Sequence, residues 1–212
     1  MLRVEKLVVA PLPPLSFEVA AGECLGLEGR SGSGKTRILR ALAALDSTPG
    51  DIRLEGTRRT EVSAPEWRRR IRYVAADFGW WAATALDHAP LGPAGPKYQR
   101  LLAELDIDAA TAARPIDQLS TGERRRVALA LSLADDPRCL LLDEPVAGLD
   151  VARAALVDEL IRYQLLAGRA VVLVSHDAAH LDRLADRRLQ LTATEPPGAL
   201  PMPADGNVWV PQ

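Results

Sequence analysis

The octet Gly29–Thr36, GRSGSGKT, constrains this chain more than any other stretch in it. A loop of the form GxxxxGK[ST] needs a buried strand leading into it and a helix leaving it, and both flanks are written in the sequence. Glu23–Glu28 (ECLGLE) sets Cys24, Leu25 and Leu27 in a short strand-like run, and Thr36–Asp46 carries Ile38, Leu39, Leu42 and Leu45 at helical spacing. An anion is favoured at the start of that helix, where the first N–H groups lack acceptors and the macrodipole is positive. Gly29, Arg30, Ser31, Gly32, Ser33 and Gly34 form the expected backbone cradle for phosphates. Lys35 is expected to reach the terminal phosphates, and Thr36 to place its hydroxyl on Mg²⁺.

A length of 212 residues with 48% hydrophobic side chains allows one sizeable core, or one domain with a small appendage. The 26 basic and 28 acidic residues nearly cancel, so no overall field calls for nucleic acid. The arginine runs Arg68–Arg70 and Arg124–Arg126 fall inside helical patterns and read as solvated helix faces. Both cysteines, Cys24 and Cys139, sit in apolar runs, as small buried hydrophobes in a reducing compartment would. No apolar stretch approaches about 18 residues, and MLRVEKLVVAPLPPL lacks a signal-peptide pattern. The expectation is a chain soluble by itself, with any membrane role exercised through a partner.

The runs CLLL (Cys139–Leu142) and AVVLV (Ala170–Val174) are continuously apolar, which suits strands covered on both faces of a parallel α/β sheet. Asp143 and Glu144 follow the first run, and Ser175 and His176 the second. All four are thereby predicted at the carboxyl ends of strands, the edge where open α/β sheets bind ligands. Residues from about Ala82 to Pro115 read as a small helical insertion, with a break at APLGPAGP (Ala89–Pro96) and a helix over Lys97–Leu105. From Thr194 the proline-rich tail reads as an extended surface segment that Trp209 could anchor.

LSTGE (Leu119–Glu123) contains Ser120 and Glu123 at capping-box spacing, with Val127, Ala130, Leu131 and Ala134 continuing a helical stripe, so a second anion-attracting helix start is predicted. Asp150 closes AGLD (Ala147–Asp150) and by itself reads as a helix cap.

Taken in order, GRSGSGKT, LSTGE, LLLDEP (Leu140–Pro145), AGLD and VSH (Val174–His176) resemble the motifs of ATP-binding cassette (ABC) ATPases, over nearly the whole chain. The resemblance implies a P-loop NTPase core with a mostly parallel sheet, N-terminal antiparallel β hairpins and a small helical subdomain. It divides the chain into a nucleotide-binding core (1–76 and 120–195), a helical subdomain (about 77–119) and an extended tail (196–212). It further implies ATP and Mg²⁺ bound in a head-to-tail dimer, with Ser120, Gly122 and Glu123 of one copy facing the γ-phosphate held by the other. Asp143 would hold Mg²⁺ with Thr36, Glu144 would polarise the attacking water, His176 would contact the γ-phosphate, and Asp150 would lie on the dimer interface. The implied partners are a transmembrane permease subunit and a second copy or homologous ATPase, at the cytoplasmic face of a membrane.

Two departures stand out against that resemblance. The family places a glutamine where this chain has Ala76, and Asp77, a hard oxygen donor, follows as the expected substitute on the metal. The family also commonly places an adenine-stacking aromatic near the amino end, but Leu7–Pro14 has none, so affinity is expected to come mainly from the phosphates. Phe78, Trp80 and Trp81 next to the altered position suit either a protein partner or the interior of the subdomain. The alternatives to a transporter subunit are a soluble ABC ATPase acting on other macromolecules and a weakly hydrolysing regulatory nucleotide-binding protein.

Overall fold

The computed structural model describes residues 1–192. The predicted tail and Trp209 lie outside them. β1 (Leu2–Leu7) and β2 (Leu15–Val19) form an antiparallel hairpin, and β3 (Cys24–Glu28) leads into α1 (Lys35–Leu42). A second hairpin, β4 (Asp51–Leu54) with β5 (Thr57–Arg58), pairs with β1 to give an antiparallel sheet of order β2-β1-β4-β5. After α2 (Ala64–Arg70) comes β6 (Ile71–Val74), followed by three helices, α3 (Ala94–Glu104), α4 (Ala109–Ala112) and α5 (Thr121–Ala134). β7 (Cys139–Asp143), α6 (Val151–Leu166), β8 (Ala170–Val174), α7 (Ala178–Leu184) and β9 (Arg187–Gln190) complete the described chain. The second sheet is parallel throughout, in the order β6-β7-β8-β3-β9.

Every residue of β7 and β8 is buried. Leu140, Leu142, Val171 and Leu173 pack to one side with α5, α6 and α7, whereas Cys139, Leu141, Val172 and Val174 pack to the other with α1 and the antiparallel sheet. Continuous apolar runs are the signature of strands covered on both faces, and each fully buried Val or Leu contributes about 1.5–3 kcal/mol. The cysteines follow the same alternation: Cys24 lies in one core, Cys139 in the other, and burial pushes both thiols up to about 12. They are inert small hydrophobes at neutral pH.

Three expectations need correction. The helix predicted to reach Asp46 stops at Leu42, because its last carbonyls are taken by tertiary donors. Trp67 Nε1 donates to Leu42 O (2.8 Å), Arg59 Nη1 to Ala41 O (3.1 Å) and Arg68 Nη1 to Ala44 O (3.1 Å), and Ala44 turns left-handed at φ 54°. The helix expected over Lys97–Leu105 runs instead from Ala94 to Glu104, with Pro96 in its first turn, where a missing N–H costs nothing. The arginines Arg124–Arg126 do not form a solvated face. Their helix is enclosed between the parallel sheet and the preceding helices, so Arg125 donates to Ala147 O and Arg126 is buried, which pulls its guanidinium below the ordinary value.

His180 is fully buried between α6 and α7. Its Nε2 lies 3.0 Å from Asp158 Oδ1, and Arg183 Nε donates to Asp158 Oδ2 at 2.7 Å. Burial holds the imidazole below the ordinary histidine value; the Asp158 and Asp177 carboxylates oppose that and the Arg183 guanidinium reinforces it. The unfolded chain therefore takes up this proton first, and the stability tied to neutral His180 is complete above about pH 6.5 and lost as the pH falls below it. Melting temperatures at pH 7.5 and pH 5.5 are expected to drop less on acidification in His180→Gln than in the parent protein; an equal drop would show that His180 carries none of the pH dependence.

Candidate nucleotide site

The phosphate-loop segment leaves the carboxyl end of β3 and turns into α1 through Gly34, whose φ of 97° an L residue adopts only with strain. A β-carbon there would also stand 3.3 Å from Leu12 Cδ1. Lys35 is buried, and its ammonium folds back over the loop to donate to Gly29 O (2.7 Å) and Arg30 O (3.1 Å). Two of its three N–H bonds thus hold the loop and one remains. A cavity of about 290 Å³ opens over the loop, bounded across from it by Ala76, Asp143, Glu144 and His176. Ser33 Oγ, on that lining, is buried without a hydrogen-bond partner.

The sheet order brings the remaining groups to this edge. β8 lies beside β3 and β7 beside β8, so the ends of all three strands meet around the loop. Asp143, the last residue of β7, accepts at Oδ2 from Thr36 Oγ1 (2.8 Å) and from Tyr73 Oη (3.0 Å). Glu144 takes the left-handed conformation at φ 54°, uncommon for a residue with a side chain, while its N–H donates to Val174 O (3.0 Å). That turn directs the chain out of the strand and leaves Glu144 Oε2 accepting from the His176 N–H (3.2 Å). Glu144 Oε1 is buried without a hydrogen bond, with His176 Nε2 at 3.5 Å.

The hydroxyl and carboxylate in contact at Thr36 and Asp143 fit a particular kind of cation site. Mg²⁺ is bound through one or two protein oxygens together with phosphate oxygens and water, not by an all-protein cage. Thr36 and Asp143 supply that donor set.

The signature segment stands apart. Ser120 caps α5 by accepting from the Glu123 N–H (3.2 Å), and Glu123 Oε2 accepts in return from the Ser120 N–H (2.6 Å), which holds that carboxyl below its ordinary value. Gly122 lies close to Leu149: a β-carbon would meet Leu149 Cδ2 at 2.8 Å and displace that side chain. Asp150 caps α6 through the Arg153 N–H (2.9 Å), and Arg153 also pairs with Asp106 (3.0 Å). These groups line a cavity of about 550 Å³ that shares no residue with the cavity over the phosphate loop.

The sequence family described as ABC transporter matches residues 12–147, which takes in the phosphate loop, LSTGE and both carboxylates. The chain belongs to the ABC transporter ATPase family. It is 34% identical over 196 residues to Protein STAR1 of Oryza sativa (88% of this chain, 57% of that protein). It is 35% identical over 192 residues to the cobalt import ATP-binding protein CbiO of Rhodobacter capsulatus (84% and 69%). It is 39% identical over 188 residues to the hemin import ATP-binding protein HmuV of Streptomyces coelicolor (83% and 67%). The chain thus spans between 57% and 69% of the length of these relatives. The fold matches the ATP-binding cassette MJ0796, solved as a dimer bound to ADP and Pi, with a TM-score of 0.80 at 23% identity (91% of this chain, 95% of that one). It also matches an ATP-binding subunit of an ABC transporter at 0.81 and 23% (90% and 85%).

Against that ABC family background the departures take on geometry. Ala76 lines the phosphate cavity, whereas Asp77 is exposed and outside its lining. Val9 and Leu12 of the amino-terminal segment are buried and no aromatic stands among Leu7–Pro14. The aromatic segment splits: Phe78 and Trp80 pack against the core, and Trp81 is 68% exposed. His88, to which the sequence assigned no role, organises this turn. Its Nε2 accepts from the Trp81 and Ala82 N–H groups (both 3.2 Å), Nδ1 lies 2.7 Å from Thr84 O, and the ring meets both Trp80 and Trp81 edge-on. Tyr73 was likewise missed, since one tyrosine in a strand carries no motif. Replacing the Ser120 cap by alanine is expected to lower stability by about 1 kcal/mol, read as a shift in the urea midpoint at unchanged slope; no shift would mean that α5 does not depend on its cap.

Proposed function

We propose that this chain is the ATP-binding, ATP-hydrolysing subunit of an ABC transporter, acting as a head-to-tail dimer on a separate membrane permease. The observation that carries the reading is the convergence of Thr36, Asp143, Glu144 and His176, from three strand ends, around one phosphate loop. Gly29–Thr36 bind the triphosphate and Lys35 neutralises its terminal phosphates. Thr36 and Asp143 hold Mg²⁺, which when bound offsets charge on the phosphate oxygens. The His176 N–H fixes Glu144 Oε2, so that Oε1 is the atom left to accept a proton from the attacking water. His176 itself, largely exposed, is free to turn to the γ-phosphate.

Ser120, Gly122, Glu123 and Asp150 belong to the second half of the reading. Their cavity is separate from the phosphate loop within one chain, so they serve nucleotide only if another copy presents them. The functional division is the one expected from the motifs, with 1–76 and 120–195 binding nucleotide and about 77–119 facing the permease at the cytoplasmic side of the membrane. Exposed Trp81 supports the permease contact, since tryptophan is enriched at interface hot spots. No helix among the described residues is long and apolar enough to cross a membrane, which agrees with a separate permease. The names of CbiO and HmuV as import ATP-binding proteins support a transporter role over action on other macromolecules. Asp77 completes the proposed metal environment if the exposed segment after Ala76 closes inward.

Glu144→Gln is expected to lower ATP turnover by at least about 100-fold while leaving ATP bound in a dimer detectable by size-exclusion chromatography. A parent protein without turnover would instead favour the regulatory alternative. Asp77→Ala is expected to raise the Mg²⁺ concentration needed for half-maximal turnover several-fold; an unchanged Mg²⁺ profile would remove Asp77 from the site.

A further inference from the structure

Asp143 is buried, and one of its two oxygens, Oδ2, accepts two hydrogen bonds. The donors differ in what they can do next. The Thr36 hydroxyl is itself a proposed metal ligand, so its orientation answers to the cation. Among the described residues the Tyr73 phenol has no other hydrogen-bond partner, and it projects from the strand next to Asp143: β6 and β7 run parallel with Tyr73 opposite Leu141, two residues short of Asp143. A phenol one strand over, bonded at 3.0 Å, keeps its hold on Oδ2 whichever way the Thr36 hydroxyl points. Two donors on one oxygen stop rotation about the carboxylate and leave the other oxygen facing a fixed direction.

This matters more here because Ala76 contributes no oxygen to the cavity. With fewer protein donors around the cation, the orientation of the remaining carboxylate carries a larger share of its affinity. We infer that Tyr73 is a positioning residue for the divalent-cation site, holding Asp143 in its ligating orientation through the Tyr73 Oη to Asp143 Oδ2 hydrogen bond. The inference rests on the reading of Thr36 and Asp143 as Mg²⁺ ligands. It makes Tyr73 a determinant of cation affinity and leaves it no contact with nucleotide.

The test is calorimetric titration of ADP, without Mg²⁺ and over a series of Mg²⁺ concentrations, into the parent protein, Tyr73→Phe and Asp143→Asn. Tyr73→Phe is expected to bind Mg²⁺-free ADP as the parent does and to need roughly tenfold more Mg²⁺ for the same strengthening, the scale on which partners of metal ligands act. An unchanged Mg²⁺ requirement in Tyr73→Phe, with Asp143→Asn losing the Mg²⁺ effect, would overturn the inference and leave the metal reading intact. A parallel loss of Mg²⁺-free ADP affinity in Tyr73→Phe would also overturn it, by showing a merely structural role. A parent protein whose ADP binding ignores Mg²⁺ would overturn the metal reading itself. Tyr73→Met, whose flexible side chain adapts to the space the ring leaves, is carried alongside and is expected to behave as Tyr73→Phe does, so that a folding failure of either variant leaves the comparison standing.

Discussion

β7 and β8 offer no exposed position along their length, and that double burial governs where polar chemistry can sit. A charged side chain inside either strand would lose hydration with no partner able to restore it, a penalty that outweighs any single hydrogen bond. The polar groups that follow these strands are therefore pressed to their carboxyl ends. There Asp143 finds Thr36 and Tyr73, and Glu144 finds the His176 N–H. The phosphate loop closes the same edge because β3 is paired to β8, so one packing constraint assembles groups that are far apart in the chain.

The same constraint explains why the second cluster is elsewhere. α5 must lie along the sheet to cover Leu140 and Leu142, and its start, Ser120, is thereby carried to a different rim from the phosphate loop. The two helix starts that favour an anion open on cavities with no residue in common. The proposed sandwich of two copies would use both, and the closeness of Gly122 to Leu149 ties the signature to the segment that ends in Asp150.

Much of this was legible in the residues. Continuous apolar runs announced buried strands, the octet announced the loop, and capping-box spacing announced α5, because each is a local rule that tertiary structure has no reason to break. What stayed hidden was non-local. Strand order decides that β8, not β7, neighbours β3, and no spacing encodes it. Trp67 ends α1 from 25 residues away, so helical periodicity overshot to Asp46. Arg124–Arg126 read as solvent-facing because a charge run usually is, yet the burial of Arg126 follows only from what packs over α5. Tyr73 and His88 are single residues whose roles exist only through their partners.

One feature of the core is hard to justify by stability. His180 and Asp158 occupy space between α6 and α7 that apolar side chains could fill, and buried polar groups stabilise only where hydrogen bonds repay their lost hydration. Their geometry is more specific than their energy. α6 is capped by Asp150, on the signature face, and α7 begins two residues after His176, on the phosphate cavity. Arg183 Nε of α7 donates to the buried Asp158 Oδ2 of α6, so sliding one helix past the other would unpair a buried carboxylate. That bond ties the helix capped by Asp150 to the helix that follows the His176 loop.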